Sequence, residues 1–227
     1  MKLTVIIPAY NEEKTIKSML RSLPSGIKGI SDIDIIVVND GSTDRTSEIA
    51  KSLKRVIVID LPMNMGVGVA TRAGFEYAKK NESNVIITLD ADGQHNPNDI
   101  YKIIKPIIHK RVDVTIGSRA FKKQMPKSRI LGNHVLSIAT YLMYGRYVKD
   151  SQSGMKAMSG AALDKMEFGS VGFEICSEIV GECKRLNLMI EEVPIQTIYS
   201  EYSKKKGQNW LNGINILTKL LLLKIKA

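Results

Sequence analysis

Short apolar runs rich in β-branched residues recur along the first half of this 227-residue chain, and stretches with helical spacing separate them. The pattern predicts strands at 3–8, 34–39, 56–60, 84–89 and 112–117, with helices near 12–23, 43–54, 66–80 and 97–110. A βαβα rhythm of this kind constrains the chain to an α/β fold, a mostly parallel sheet covered by helices on both faces. The length suffices for one such domain to bury a core, and 44% hydrophobic with 25% charged residues excludes wholesale disorder. No repeat, low-complexity tract or long linker interrupts it.

The run Val85-Ile86-Ile87-Thr88-Leu89 ends in Asp90-Ala91-Asp92-Gly93. In an open α/β sheet ligands bind beyond the carboxyl ends of the strands. Two carboxylates there repel each other unless a cation lies between them. Hard oxygen donors suit Mg²⁺ or Mn²⁺, which share their remaining positions with water and substrate phosphates. Gln94 and the helix-starting Asn96-Pro97-Asn98-Asp99 add oxygen groups nearby. Capping of the next helix is the plainer role for the same aspartates. Asp40-Gly41-Ser42-Thr43-Asp44 likewise supplies cap candidates after the strand Ile35–Asn39. His95, His109 and His134 have no metal-ligand spacing and read as surface or core residues.

The net charge of +10 is concentrated in two blocks. Residues 102–129 carry nine basic side chains and one acidic, and 198–227 carry six and one. Such blocks suit phosphates, nucleic acid or an anionic membrane surface. Cys176 and Cys183, seven apart on one helix, stand roughly 10 Å apart along its axis, too far for a disulfide. Reduced thiols fit a cytoplasmic setting. The apolar start at 3–7 is too short for a signal peptide, and no run is long enough to span a bilayer.

Beyond residue 120 the rhythm breaks. A basic loop at 122–127 precedes a helix over 129–145 with Leu131, Val135, Ile138 and Leu142 at helical spacing. Its other faces hold Ile130, Leu136, Tyr141, Met143 and Tyr144, so it is expected to be buried or to face a membrane. The stretch 209–226 carries a broad apolar face with Trp210, Leu217 and Leu221, opposite a narrow polar stripe. Apolar faces beside cations are the pattern of helices that lie on a bilayer.

Three segments, Val5-Ile6-Ile7-Pro8-Ala9-Tyr10-Asn11-Glu12-Glu13, Val37-Val38-Asn39-Asp40-Gly41-Ser42-Thr43-Asp44 and Asp90-Ala91-Asp92-Gly93-Gln94-His95, follow one another in the order seen in family 2 glycosyltransferases with the GT-A fold. The chain resembles especially the dolichol-phosphate mannose and glucose synthase branch. Gly117-Ser118-Arg119 and Asp150-Ser151-Gln152-Ser153-Gly154 also match it. The resemblance covers roughly residues 3–195 and implies a GT-A catalytic domain over 1–208, followed by an amphipathic helix at 209–227.

It further implies nucleotide contacts from Pro8, Tyr10, Glu12, Asp40 and Asp90, and a Mg²⁺ or Mn²⁺ held by Asp90, Asp92 and Gln94. Asp92, Asp150 and Arg119 become the catalytic set, and Arg119, Arg129 and Ser153 the holders of an acceptor phosphate. The implied reaction is a single displacement with inversion, from a GDP- or UDP-linked sugar to a polyprenyl phosphate such as dolichyl phosphate. The enzyme is expected in the cytoplasm at the inner face of the membrane, bound peripherally or through a separate membrane protein, because the spanning helices of well-known relatives are missing. In the segment Asn64-Met65-Gly66-Val67-Gly68, Val67 stands where similar proteins often carry a basic residue, so no phosphate contact is assigned there. Arg72, in the same segment, lies near the implied donor site. The basic loop 199–208 after the strand-like Glu192-Val193-Pro194-Ile195 suits either a closing flap or a solvated turn.

Three alternatives are set beside this reading. The same fold can serve a glycan hydroxyl, in which case Asp150 must act as general base. A haloacid-dehalogenase-like phosphatase also places Asp-x-Asp after a strand, but needs Thr or Val where this chain has Gln94. A nucleotide-binding regulator or nucleic-acid module would use the basic blocks, yet no aromatic-interleaved platform is present.

Overall fold

The computed structural model describes residues 1–119 and 127–198, the side chains of 127–129 excepted. The first half runs β1 (Lys2–Ala9), α1 (Ile16–Ser22), β2 (Asp32–Asn39), α2 (Thr46–Lys51), β3 (Val56–Asp60), α3 (Val67–Lys80) and β4 (Val85–Thr88). A 3₁₀ turn (Pro97–Asp99), α4 (Ile100–Ile108), β5 (Val114–Arg119) and α5 (Lys127–Tyr144) come next. The last described elements are β6 (Lys156–Ser159), α6 (Gly160–Leu163), α7 (Ile175–Arg185) and β7 (Ile190–Ile195). Every strand and helix expected in the first half is present, with ends displaced by a few residues.

The seven strands form one sheet in the order β3-β2-β1-β4-β6-β5-β7. All neighbours are parallel except β6, which runs antiparallel between β4 and β5. Alternation along the strands supplies two cores. Leu3, Val5, Ile7, Ile35, Val37 and Ile87 face one side, against Ile16, Leu20, Ile103 and Ile104. Ile6, Ile36, Val38, Ile86 and Ile116 face the other, against Phe75, Ile175, Ile179 and Val180. Gly74 lies so close to Ile6 that a Cβ there would meet its Cγ2 at 2.3 Å, which sets the depth at which α3 seats.

The carboxyl ends of the parallel strands are tied together by their loops. Asn11, in the left-handed region at φ 52°, ties the loop after β1 to the loop after β2: Asn11 N donates to Ser42 Oγ (3.0 Å) and Thr43 N donates to Asn11 Oδ1 (2.9 Å). Asp44 accepts from the nitrogens of Glu13 and Thr46, so it fastens β1's loop to the start of α2. Asn96 caps the 3₁₀ turn by accepting from Asn98 N, with Pro97 at the first position.

Helix α5 is turned opposite to a globular-core helix. Leu131, Val135, Ile138 and Leu142 are exposed, whereas Asn133, Ser137 and Thr140 are buried. The polar side faces inward because it finds partners there. Ser137 Oγ accepts from Ser151 N (3.2 Å), and Thr140 Oγ1 bonds Ser177 Oγ (2.8 Å). Among the described residues the helix therefore buries its polar side with Leu136, against which Met143 and Tyr144 pack, and leaves the stripe of Leu131, Val135, Ile138 and Leu142 uncovered. No helix among the described residues is long and apolar enough to cross a membrane. Cys176 and Cys183 are free thiols, and burial pushes Cys183 up to about 12. The basic loop 120–126, the loop 199–208 and the helix expected at 209–226 lie outside the described residues.

Candidate active site

Beyond the ends of β1 and β2 sit the residues expected to contact a nucleotide. Pro8 is half-buried, Tyr10 is exposed and Glu12 is buried. Glu12 accepts from Thr15 Oγ1 (2.9 Å), and its own nitrogen donates to Thr46 Oγ1 (2.7 Å). Asp40 is buried and uses both carboxylate oxygens on backbone, accepting from Met65 N (2.7 Å) and Gly66 N (3.0 Å). It thereby fixes the entry to α3. The glycines of that entry have a packing reason: a Cβ on Gly68 would stand 2.5 Å from the Ser170 carbonyl, and Gly66, at φ 99°, meets Val171 in the same way. Arg72 donates to the Phe168 carbonyl (3.0 Å). This segment is a tight helix entry.

Asp90 and Asp92 lie just past β4. Asp90 Oδ2 bonds His95 Nε2 (3.0 Å). The protein packed around Asp90 acts to raise its pKa, but the His95 bond together with Arg119 and Lys156 outweighs that and holds its carboxyl below the usual range. Asp92 behaves oppositely. Burial, and then the charge of Asp90, push it up to about 6, although Gln94 N donates to its Oδ1 (2.9 Å) and Gln94 Nε2 to its Oδ2. Gln94 thus braces Asp92 directly. Asp99 faces elsewhere: it is buried and accepts from Lys102 Nζ (2.6 Å) and Gln196 N (2.7 Å).

An aspartate that resists ionisation because it is buried and then because another aspartate is its neighbour marks a place short of positive charge. Two carboxylates and an amide are also the hard donor set that a divalent ion prefers. Among the described residues no three His, Cys, Asp or Glu side chains gather to cage an ion. An ion held here would need further ligands from water or phosphate, as Mg²⁺ and Mn²⁺ accept.

A pH dependence follows. The folded pKa of Asp92, about 6, exceeds the ordinary value of about 3.9. Between these values the folded chain holds a proton that the unfolded chain releases. The contribution of Asp92 to the stability of the metal-free protein is thus fully present below pH about 4 and lost as pH rises through about 6. Asp92→Asn is expected to remove this slope from a plot of Tm against pH. Mn²⁺ at pH 7 is expected to raise the Tm of the wild type and not that of Asp92→Asn, measured by thermal melts.

Arg119, the last residue of β5, meets Asp150 from the loop before β6. Asp150 has no exposed surface and accepts three bonds from Arg119: from Nε (2.7 Å), from NH2 (2.6 Å) and from the backbone nitrogen (3.1 Å). The guanidinium keeps part of its surface open, at 18% of the side chain. The rest of the loop turns inward. Gln152 Nε2 donates to Ser177 Oγ (2.9 Å), Ser153 is fully buried, and the Ser153 carbonyl accepts from the buried Lys156 Nζ. Gly154 passes directly beneath Asp90, and its carbonyl accepts from Thr88 Oγ1 (2.8 Å). The structure therefore joins Asp90, Asp92, Gln94, Arg119 and Asp150 in one region and places Ser153 behind it. The side chain of Arg129 lies outside the described residues.

Three contributors escape a reading of the sequence alone. His95 had no metal-ligand spacing to mark it, yet it buttresses Asp90. Lys156 opens β6, a strand that no sequence pattern announces, and its charge reaches Asp90. Gly154 provides the space that Asp90 occupies. His95 carried one usable signal, its place directly after the Asp-x-Asp-x-Gln run.

Residues 4–168 match the model of Glycosyl transferase family 2. The chain belongs to that family. A UDP-N-acetylglucosamine–dolichyl-phosphate N-acetylglucosaminyltransferase from Methanococcus voltae is 40% identical, over 97% of this chain and 95% of the relative. A dolichol-phosphate mannosyltransferase from Pyrococcus furiosus is 30% identical over 95% of this chain and 61% of its own length. Among solved structures, the glucosyl-3-phosphoglycerate synthase of M. tuberculosis superposes with a TM-score of 0.73, at 19% identity, over 98% of this chain and 80% of that one. The family 2 chain thus has the GT-A fold, with its mostly parallel sheet flanked by helices, as the family match and the superposition together show.

Proposed function

We propose that this family 2 glycosyltransferase moves a sugar from a nucleotide donor to the phosphate of a polyprenyl lipid of the dolichyl class, with inversion at the anomeric carbon. The observation that carries this reading is the Arg119–Asp150 pair. Asp150 is fully buried and committed to three bonds with Arg119, an arrangement that orients an arginine rather than freeing a base. A hydroxyl acceptor requires a base to take its proton. A lipid monophosphate, with a second pKa of about 6, is already a dianion at neutral pH and needs chiefly to be held in line. A fixed guanidinium does that through paired charge-assisted bonds.

On the donor side Pro8, Tyr10, Glu12 and Asp40 would line the nucleotide. Asp90, Asp92 and Gln94 would hold Mg²⁺ or Mn²⁺, which when bound neutralises charge on the departing diphosphate. Asp92 would be one of the ion's carboxylate ligands, while His95 and Lys156 keep Asp90 ionised and in place. Crystals of the M. tuberculosis neighbour contain Mn²⁺ with UDP-glucose, which supports a metal–diphosphate role for this region. UDP-N-acetylglucosamine is the donor we propose first, on the strength of the M. voltae relative.

The test is release of nucleoside diphosphate from GDP- and UDP-sugars with Mn²⁺ or Mg²⁺, with and without a short polyprenyl phosphate. The expected outcome is release that depends on the lipid phosphate, is fastest with UDP-N-acetylglucosamine, and disappears in Asp92→Ala. Tight nucleotide binding without turnover of any donor would favour a regulatory nucleotide-binding protein instead.

A further inference from the structure

We infer that Thr197 is a positioning residue for the reaction, its hydroxyl fixing the His95 imidazole that steadies Asp90. This rests on the metal–diphosphate reading of Asp90 and Asp92. The family match ends at residue 168, and Thr197 lies beyond it, just after β7.

On leaving β7 the chain crosses the loop that carries the acidic pair and is fastened to it. Ile198 N donates to the Gln94 carbonyl (2.8 Å), and His95 and Thr197 form an antiparallel bridge. Gln196 N donates to the buried Asp99 Oδ2 (2.7 Å), and Asn96 Nδ2 donates to Gln196 Oε1 (3.1 Å). The segment thus holds the same two residues that brace the aspartates, Gln94 on Asp92 and His95 on Asp90.

The bond from Ile198 to Gln94 flanks the bridge, which puts His95 and Thr197 opposite each other at a non-hydrogen-bonded position of the ladder. At such a position the two backbones approach to about 4.5 Å and both side chains stand on one face. Each of these side chains has one buried polar atom without a partner among the described residues, His95 Nδ1 and Thr197 Oγ1. Buried polar atoms are paired in nearly all proteins, often through a trapped water. The bridge makes each of the two the other's partner, with one water spanning the space their side chains leave.

The effect reaches the acidic pair through the ring. His95 is buried, and its Nε2 bonds Asp90 Oδ2 (3.0 Å). A ring held at one nitrogen rocks about that bond, whereas a ring held at both is locked and Asp90 is locked with it. Outer partners of this kind set the direction of a metal's ligands. Thr197→Val keeps the volume of the side chain and removes only the second hold.

The test uses the full chain as wild type, Thr197→Val and Thr197→Ser. Mn²⁺ affinity in the presence of UDP is read from the electron paramagnetic resonance of free Mn²⁺. The His95 ring nitrogens are followed by NMR in metal-free protein, assigned against His95→Gln among the three histidines. Nucleoside diphosphate release is measured as a function of Mn²⁺. In Thr197→Val the Nδ1 signal is expected to move, and Mn²⁺ binding to weaken roughly threefold to tenfold. The Mn²⁺ needed for half-maximal release rises by the same factor, while the melting temperature stays that of the wild type. Thr197→Ser restores the signal, the affinity and the Mn²⁺ requirement. Unaltered Nδ1 signal and Mn²⁺ affinity in Thr197→Val overturn the proposal. A Thr197→Ser as impaired as Thr197→Val overturns it too, because the hydroxyl is then not the group at work. A wild type that binds no Mn²⁺ with UDP, while its Nδ1 signal still responds to loss of the hydroxyl, strikes the metal reading and leaves the hold of Thr197 on His95 standing.

Discussion

Gly154→Ala is expected to yield a folded protein that has lost sugar transfer by at least about a hundredfold. A methyl group at this position would stand 2.1 and 2.3 Å from the two carboxylate oxygens of Asp90. Those oxygens end a flexible side chain, so the carboxylate swings aside and the backbone stays where it is. Stability therefore changes by about 1 kcal/mol or less, because no buried apolar side chain has to move. The swing breaks the 3.0 Å bond to His95 and separates Asp90 from Asp92, the two groups that must act on one ion. Comparing kcat/KM with the thermal melt separates the two effects. A fully active Gly154→Ala enzyme would mean that the position of Asp90 does not matter to the reaction.

Asp150→Ala is expected to damage both stability and activity. It removes the fully buried partner of a guanidinium that is itself mostly buried, and stranding one member of such a pair costs about 3 kcal/mol. Chemical denaturation measures that loss. Asp150→Asn keeps the shape and one acceptor oxygen, so it separates anchoring from base catalysis. If Asp150 only orients Arg119, the variant retains slow transfer whose pH profile follows the acceptor phosphate, with an inflection near pH 6. If Asp150 is a base, Asp150→Asn abolishes transfer at every pH. Arg119→Lys is a companion probe, since an ammonium cannot reproduce the paired bonds to Asp150.

The parallel half of the sheet was legible because its strands are buried on both faces and are therefore written as unbroken aliphatic runs, as in Ile35–Val38 and Val85–Leu89. Strand β6 was not. Its Lys-Ala-Met-Ser sequence carries no β signal, and its place comes from pairing antiparallel with β4 and β5, a long-range fact. The spacing of Leu131, Val135, Ile138 and Leu142 gave the helix, and left open whether its apolar face is buried or meets a membrane. What turns that face outward is hydrogen bonding by Ser137 and Thr140 to Ser151 and Ser177, residues distant in sequence. In the site, the acidic residues declared themselves by their position after a strand. Their supports did not: the three bonds from Arg119 to Asp150 and the bonds from Met65 and Gly66 nitrogens to Asp40 join residues distant in sequence, which no local pattern announces.

The central claim is that the sugar is delivered to a phosphate oxygen and not to a hydroxyl. The most direct measurement offers the enzyme, with UDP-N-acetylglucosamine and Mn²⁺, equal amounts of a short polyprenyl phosphate and the corresponding alcohol, and identifies the products by mass. A sugar–phosphoryl–polyprenol from the phosphate alone, absent in Asp92→Ala, is the predicted result. A glycoside of the alcohol formed as readily as the phosphodiester would contradict the account.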